Sequence, residues 1–125
     1  LRKAVIVQHL KTKVSTPRIV ETQRFYERVF GMVVAEEWES PGDRGVILKF
    51  PGGTGEALLE IYYAEDAFDL SGVSLQFKVE TMSSFMASLP ADISYEGPKP
   101  RPWGSTYLYL QDPAGVQIIV YEGGL

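Results

Sequence analysis

The sequence contains no cysteine among its 125 residues and a single histidine, His9. Without cysteine, the protein has no disulfide, no thiolate metal site and no thiol nucleophile. An excess of positive charge is also missing, since the formal net charge is −4 and the isoelectric point is near 5.0. The sequence therefore predicts no nucleic-acid partner.

Long hydrophobic runs are absent as well. No stretch reaches the roughly 18 consecutive apolar residues of a membrane-spanning helix, and no basic-then-apolar leader is recognisable. We therefore expect a cytoplasmic protein without a membrane partner. With 45% hydrophobic and 22% charged residues in 125, the composition predicts one globular domain with one substantial core.

The first half of the sequence predicts the element order βαβββ. A β-branched segment at 4–14 predicts a strand. A helix follows at 17–30, with Thr16 as its cap, Pro17 in its first turn and Gly31 at its end. Turn-rich stretches then separate three strand-like segments, at 32–40, 46–50 and 56–63.

The second half predicts the same order. After a polar connector at 64–71, the pattern gives a strand at 72–80, a helix at 81–89 capped by Thr81, and strands at 92–96, 105–111 and 115–122. Aligning the halves places Glu60 opposite Ile119 and Tyr62 opposite Tyr121. We therefore predict a single α+β domain of two repeated modules, about 4–63 and 72–123.

Two short motifs bear on the family. FYERVFGM, at 25–32, resembles the end of the first helix in the vicinal oxygen chelate superfamily, which includes glyoxalase I, extradiol dioxygenases and the fosfomycin and bleomycin resistance proteins. LQDPAG, at 110–115, resembles the hairpin of its second module. The resemblance covers nearly the whole chain and implies two βαβββ modules forming a curved, cup-shaped mixed sheet. It also implies a homodimer built around the sites.

The resemblance further identifies the positions of metal ligands. In the metal enzymes of the superfamily, the ligands stand on the first and last strands of each module. Here those positions hold Lys11 (or His9, if the loop carries an insertion), Glu60, Ser74 and Ile119. Serine and isoleucine do not make a divalent-metal site, so we expect no metal and no other cofactor. A metal-dependent lyase, isomerase or dioxygenase using His9 and Glu60 remains the alternative.

The sequence leaves two roles open for Glu60. In an apolar strand, its carboxylate could recognise a cationic or hydrogen-bonding group of a ligand. It could equally form an ion pair with Lys11 or Lys13 on the neighbouring strand. His9 alone among apolar neighbours is more typical of a structural residue than of a ligand or base.

The segment PKPRPWG, at 98–104, combines prolines with one aromatic ring. The prolines hold it extended, and Gly104 permits close approach, so Trp103 could present a flat wall to a ligand. Bleomycin resistance proteins carry a similar PWG followed by a strand and DPAGN; this sequence departs from that pattern at Val116. The alternative is that Trp103 packs on Tyr95 or fills the edge of a dimer interface.

The tyrosines, like Trp103, favour the binding of a flat ligand. Tyr107 and Tyr109 share one face of their strand by alternation, and Tyr62 and Tyr121 share the faces of Glu60 and Ile119. We therefore predict a metal-free protein that binds a small flat aromatic or cationic molecule, as the drug-sequestering members of the family do, with no catalytic residue. The predicted ligand-binding residues are Trp103, Glu60, Tyr62, Tyr107, Tyr109, Tyr121, Lys11 and Ser74.

Overall fold

The structure, a computed structural model, describes residues 5–52 and 57–125. The chain divides between Ala67 and Phe68 into two units, here called module one and module two, and each has the element order βαβββ. The predicted α+β fold class and the repeat are therefore confirmed.

Module one is a four-stranded mixed sheet with one helix. Its elements are β1 (Leu10–Thr16), α1 (Ile19–Phe30), β2 (Val33–Ser40), β3 (Asp43–Lys49) and β4 (Ala57–Tyr63). The strand order is β1-β4-β3-β2, with β1 parallel to β4 and the other pairs antiparallel. Alternation along the strands gives the sheet one buried apolar face and one polar face.

Helix α1 buries one stripe of side chains against this sheet. Its apolar positions recur at the helical spacing, and Gly31, at φ 66°, ends it in the left-handed conformation that glycine adopts most easily. The residues of the module-one core are Val14, Ile19, Phe25, Tyr26, Val29, Met32, Val46, Leu48, Leu59 and Ile61.

Module two repeats the plan. Its elements are β5 (Ser74–Lys78), α2 (Met82–Ser88), β6 (Glu96–Pro100), β7 (Thr106–Gln111) and β8 (Gln117–Glu122), in the strand order β5-β8-β7-β6. Its core holds Met82, Leu108, Leu110, Val116, Ile118 and Val120. Because side chains alternate, the tyrosines of β7 and β8 lie on the face opposite these apolar residues.

The first strand is shorter than predicted. Residues 5–9 form no strand, and Val5, Ile6 and Val7 are 76–86% exposed. Pairing begins only at Leu10, opposite Ala57 of β4. The β-branched run indicated a strand, but a strand requires a partner; Ala4 lies outside the described residues.

The sixth strand is displaced from its prediction. It spans Glu96–Pro100 rather than 92–96, and pairs with β7 through Glu96, Lys99 and Pro100, with an irregularity between Glu96 and Lys99. It is an edge strand, where the missing amide of a proline costs no ladder hydrogen bond. Pro98 and Pro100 therefore lie within the sheet.

Both predicted helix caps differ in detail. Helix α1 begins at Ile19, Arg18 is its N-cap, and Thr16 belongs to β1, where its hydroxyl accepts a 3.0 Å hydrogen bond from the Arg18 amide. Thr81 does occupy the N-cap of α2 but makes no side-chain cap bond. Instead a carboxylate from β8, Glu122, accepts the Met82 amide at 2.7 Å. A distant residue thus replaces the local cap, which sequence spacing does not reveal.

None of the helices in the described ranges is long and apolar enough to cross a bilayer.

Candidate functional site

Four aromatic rings lie together in module two, and we call Trp103, Tyr107, Tyr109 and Tyr121 the module-two aromatic cluster. Tyr107 pairs directly with Tyr121 across β7 and β8, and their ring centroids are 6.0 Å apart. Tyr107 is also 6.0 Å from Tyr109 and meets Trp103 edge-on at 5.5 Å. The rings therefore form one continuous surface, in the edge-on and tilted contacts that aromatic pairs favour.

Trp103 stands at the tip of the hairpin turn between β6 and β7. The Gly104 amide donates to the Arg101 carbonyl at 3.0 Å, the Arg101 amide donates to the Ser105 carbonyl at 2.7 Å, and Gly104 has φ 92°. This is the three-residue hairpin loop in which proline suits the second position and glycine the left-handed one. Pro102 and Gly104 thus serve the turn, while Trp103 is left 57% exposed.

The second hairpin of the module has the same turn with different side chains. In Asp112–Val116, the Gly115 backbone amide donates to the Asp112 carbonyl at 3.1 Å, and the Asp112 backbone amide donates to the Val116 carbonyl at 3.0 Å. The Asp112 carboxylate also accepts the amides of Ala114 and Val116, both at 2.9 Å. The DPAG motif is therefore a self-supporting turn, and arginine and tryptophan replace its aspartate and alanine in the first hairpin.

Two cations that the sequence reasoning did not select lie over the cluster. The Arg101 guanidinium carbon is 4.9 Å from the Trp103 ring centroid and 6.0 Å from that of Tyr107. The Lys99 ammonium is 5.7 Å from the Tyr109 ring. Comparing the two X-Pro-X-Gly turns in the sequence could have singled out Arg101, because only the other turn carries a capping side chain at that position.

The remaining predicted residue of module two lies on the same face of the sheet. Ser74 begins β5 and pairs with Gln117, while Ile119 pairs with both Gln76 and Tyr109. Ser74 is half-buried and Ile119 is buried. The face thus combines a hydroxyl and an alkyl group with the aromatic cluster.

In module one, three of the predicted residues, Lys11, Glu60 and Tyr62, lie on one face of the sheet together with Lys13. The Lys11 ammonium lies 3.2 Å from the Glu60 carboxylate, and Glu60 is only 8% exposed. Two residues further along each strand, the Lys13 ammonium lies 4.2 Å from the centroid of the Tyr62 ring. Of the two roles left open for Glu60, this geometry matches the ion pair with Lys11.

A second tryptophan site was missed by the sequence reasoning. The Trp38 indole lies over Gly45 of the adjacent strand, so closely that a Cβ added at Gly45 would clash with its ring. Its Nε1 donates to the Asp43 carboxylate at 2.9 Å. That carboxylate also accepts the Tyr62 hydroxyl, and this hydrogen bond, followed by desolvation, raises the pKa of Tyr62.

The repeat explains where Trp38 lies. Tyr62 pairs with Gly45 in module one, as Tyr121 pairs with Tyr107 in module two. Gly45 therefore stands where module two has an aromatic ring, and the ring of a neighbouring strand covers it, a known way of filling the space above a strand glycine. Aligning β3 with β7 could have revealed this.

The four positions at which the family resemblance predicts metal ligands do not offer a metal-binding donor set. They hold the ammonium of Lys11, the carboxylate of Glu60, the hydroxyl of Ser74 and the alkyl chain of Ile119. Divalent metals bind several imidazole, thiolate or carboxylate ligands, and only Glu60 is one of these. His9 precedes β1 and is exposed. Within residues 5–52 and 57–125, no three histidine, aspartate or glutamate side chains form a group that could hold a metal ion.

The predicted residues thus fall into two groups. Lys11, Glu60 and Tyr62 share one face of the module-one sheet. The group in module two consists of Ser74, Trp103, Tyr107, Tyr109 and Tyr121.

Solved structures with the same fold serve different purposes. The antibiotic-binding protein TnmS3 from Streptomyces sp. CB03234 is 16% identical, with a TM-score of 0.79 over 98% of this chain and 100% of its own. A superfamily member from Sphaerobacter thermophilus is 18% identical, with a TM-score of 0.76 over 94% and 98%. Lactoylglutathione lyase from Agrobacterium tumefaciens is 21% identical, with a TM-score of 0.68 over 98% and 96%. At these identities the likeness establishes the fold alone.

No curated protein matches the sequence significantly. The family model described as Glyoxalase/Bleomycin resistance protein/Dioxygenase superfamily matches residues 7–120. This range extends from before β1 into β8 and includes both hairpin turns of module two. The chain therefore belongs to the glyoxalase/bleomycin resistance protein/dioxygenase superfamily.

Proposed function

We propose that this protein binds a small flat aromatic molecule without transforming it, and that the module-two aromatic cluster forms the wall on which the ligand stacks. The observation that carries the proposal is Trp103, a large ring held 57% exposed at the tip of a proline- and glycine-defined turn. An exposed indole on a rigid turn loses little conformational freedom on binding. Such a ring can therefore act as a preformed stacking surface.

The neighbouring rings enlarge this surface. Tyr107, Tyr109 and Tyr121 are half-buried beside Trp103, so their edges remain available while their positions are fixed by β7 and β8. Aromatic pairs contribute about 0.5–1.5 kcal/mol beyond the area that they bury. A planar ligand in contact with two of these rings would gain affinity without any charged partner.

The proposal favours an aromatic ligand over a cationic one. Recognition of a cation through Glu60 would require its carboxylate to be available, but Lys11 lies 3.2 Å away. A cationic ligand would have to displace that lysine. TnmS3, which has the same fold, is described as an antibiotic-binding protein, and its function agrees with a binding role on this scaffold.

A thermal-shift screen of planar compounds followed by titration tests the proposal. A ligand at about 100 times its dissociation constant stabilises the folded protein by about 2.7 kcal/mol. For the compounds that bind, we expect Trp103→Ala to weaken affinity by about 1–3 kcal/mol, the scale for removing an aromatic anchor. The proposal would be wrong if Trp103→Ala changed only the melting temperature and left affinity intact.

The connector offers a matched control. Phe68 is 55% exposed, close to the exposure of Trp103, and is not a member of the module-two aromatic cluster. Phe68→Ala removes an exposed ring of similar accessibility, so it should leave the dissociation constant unchanged. Equal losses in both variants would indicate nonspecific hydrophobic association rather than a site at Trp103.

A further inference from the structure

Three rings of the module-two aromatic cluster already lie near the chain's own cations. Arg101 lies 4.9 Å from the Trp103 ring, and Lys99 lies 5.7 Å from that of Tyr109. A cationic ligand would compete with side chains tethered beside these rings and would meet like charge. The cluster is therefore poorly suited to a cation.

The same face carries more positive than negative charge. Lys78 of β5 pairs with Tyr121, and Lys99 of β6 pairs with Tyr107, so each edge strand brings one lysine to the row that contains the two rings. Glu96 pairs with Lys99 only at 3.9 Å, and its side chain is 80% exposed, so water screens this pair strongly. The local charge thus opposes the net charge of −4 of the whole chain.

Other acidic groups of these strands and turns are already engaged. Glu122 of β8 accepts the Met82 amide at the start of α2. The Asp112 carboxylate accepts two amides of its own hairpin turn. Neither of these carboxylates is available to neutralise the cations over the aromatic cluster.

Arg101 itself has an unused donor. Its backbone amide and carbonyl complete the hairpin turn, but its side-chain Nε is shielded from water and meets no hydrogen-bond acceptor among the described residues. A buried N–H without a partner is unfavourable and uncommon in folded proteins. An acceptor supplied by a ligand would satisfy it once the side chain exposed this N–H to that ligand.

The comparison of the two turns points the same way. In the Asp112 turn, the side chain at the first position stabilises the turn by accepting amides. In the Arg101 turn, the equivalent side chain is a donor and cannot do so. Its guanidinium instead lies over the rings, where it forms a fork suited to two carboxylate oxygens.

We infer that the ligand is a planar aromatic anion, which stacks on Trp103 and Tyr107 and is held through its acidic group by Arg101. This inference rests on the proposed function and specifies the class of ligand. The shared chemistry is a flat ring with a carboxylate or similar acid at its edge. Arg101 then determines specificity, and the rings supply the contact area.

Three naphthalene probes of nearly equal size test the inference by isothermal titration calorimetry: 2-naphthoate, 2-naphthamide and 2-naphthylmethylammonium. We expect the acid to bind about tenfold or more tightly than the amide, since hydrogen bonds between ions are stronger than neutral ones. The ammonium compound should bind most weakly. Added salt should weaken the binding of the acid and leave that of the amide nearly unchanged.

Substitutions of Arg101 complete the test. Arg101→Gln should abolish the preference for the acid, so that the acid and the amide bind this variant with similar dissociation constants. Arg101→Lys keeps the positive charge but loses the paired donors of the guanidinium, so it should retain part of the preference for the acid. The control is Arg24→Gln, which removes one positive charge from the exposed surface of α1 and should change nothing. Melting curves establish the folded fraction of each variant.

The outcomes separate the inference from the proposed function. If the amide binds and the acid gains nothing, or if the ammonium compound binds best, the anion assignment is overturned while aromatic binding stands. If the preference for the acid survives Arg101→Gln, the role of Arg101 is overturned. If none of the three probes binds the wild-type protein, both proposals fail.

Discussion

Asp43 illustrates how single residues connect strands in module one. It begins β3, yet its carboxylate accepts the indole N–H of Trp38 from β2 and the hydroxyl of Tyr62 from β4. One exposed carboxylate therefore fixes two aromatic side chains on the same sheet face. The sequence placed Tyr62 on this face by alternation, but the choice of Asp43 as its partner depends on the pairing of three strands.

The first prediction concerns this contact. The hydrogen bond to Asp43 raises the pKa of Tyr62 above the ordinary tyrosine value, so the neutral phenol is favoured in the folded state. The stabilisation is therefore present below the unfolded pKa of about 10 and is lost as the pH rises through the raised pKa. Asp43→Asn should lower the pKa of Tyr62.

Tyrosine-labelled NMR titrations measure this pKa directly. Tyr62→Phe identifies the resonance among the seven tyrosines, and the wild type and Asp43→Asn are then compared. An unchanged midpoint in Asp43→Asn would show that the carboxylate does not govern the ionisation of Tyr62.

At the scale of elements, two hairpins carry most of what distinguishes module two. Both have a proline, a variable residue and a left-handed glycine between their strands, with Gly104 at φ 92° and Gly115 at φ 99°. The turn fixes the backbone in each case. The side chains at the first and third positions then determine whether the hairpin supports itself, as at Asp112, or presents rings and charge, as at Arg101 and Trp103.

The second prediction tests these turns. Gly104→Ala and Gly115→Ala should each destabilise the protein by about 1–2 kcal/mol, the cost of holding a residue with a Cβ in the left-handed region. A new Cβ would meet nothing within 4 Å at either position, so the loss is one of backbone conformation alone. Urea unfolding measures it.

Gly72 is the matched control for these substitutions. It also has open space around a new Cβ but lacks a positive φ. Gly72→Ala should therefore change the free energy of unfolding little or raise it slightly. Equal effects at Gly72 and Gly104 would contradict the turn assignment.

At the scale of the whole molecule, the two modules share a backbone plan and differ in chemistry. The face of module one carries the ion pair of Lys11 with Glu60, whereas module two has Ser74 and Ile119 at the equivalent positions. Gly45 under an indole likewise replaces the tyrosine of the repeat. The repeated framework therefore does not carry a repeated set of metal ligands.

The third prediction follows from these four positions. Added zinc, nickel or manganese should not raise the melting temperature, because a site with one suitable ligand binds too weakly to shift the folding equilibrium. A chelator should have equally little effect. About one tightly bound divalent ion per purified chain would contradict this and favour the metal-dependent enzyme of the same superfamily.

The fourth prediction concerns assembly. The family resemblance implies a homodimer, and the apolar side chains of Val5, Ile6 and Val7 are largely exposed in the single chain. Association of two chains would remove such surface from water. Sedimentation at micromolar concentration should give twice the 13.9 kDa of one chain; a monomer there would disprove the dimer.

The sequence by itself determined the α+β class, the duplicated element order and the side-chain alternation that places Tyr107, Tyr109 and Tyr121 on one face. These depend on local periodicity and on repetition, which are written along the chain. The positions of Ser74 and Ile119 as counterparts of metal ligands stay a prediction from the family resemblance.

Only the tertiary structure decided which strands and side chains contact one another. It began the pairing of the first strand only at Leu10, placed Pro98 and Pro100 in an edge strand, joined Lys11 to Glu60 and laid Arg101 over Trp103. Each of these contacts depends on which strands are neighbours and in what register. Register is set by pairing between segments distant in sequence, so periodicity within one segment does not specify it.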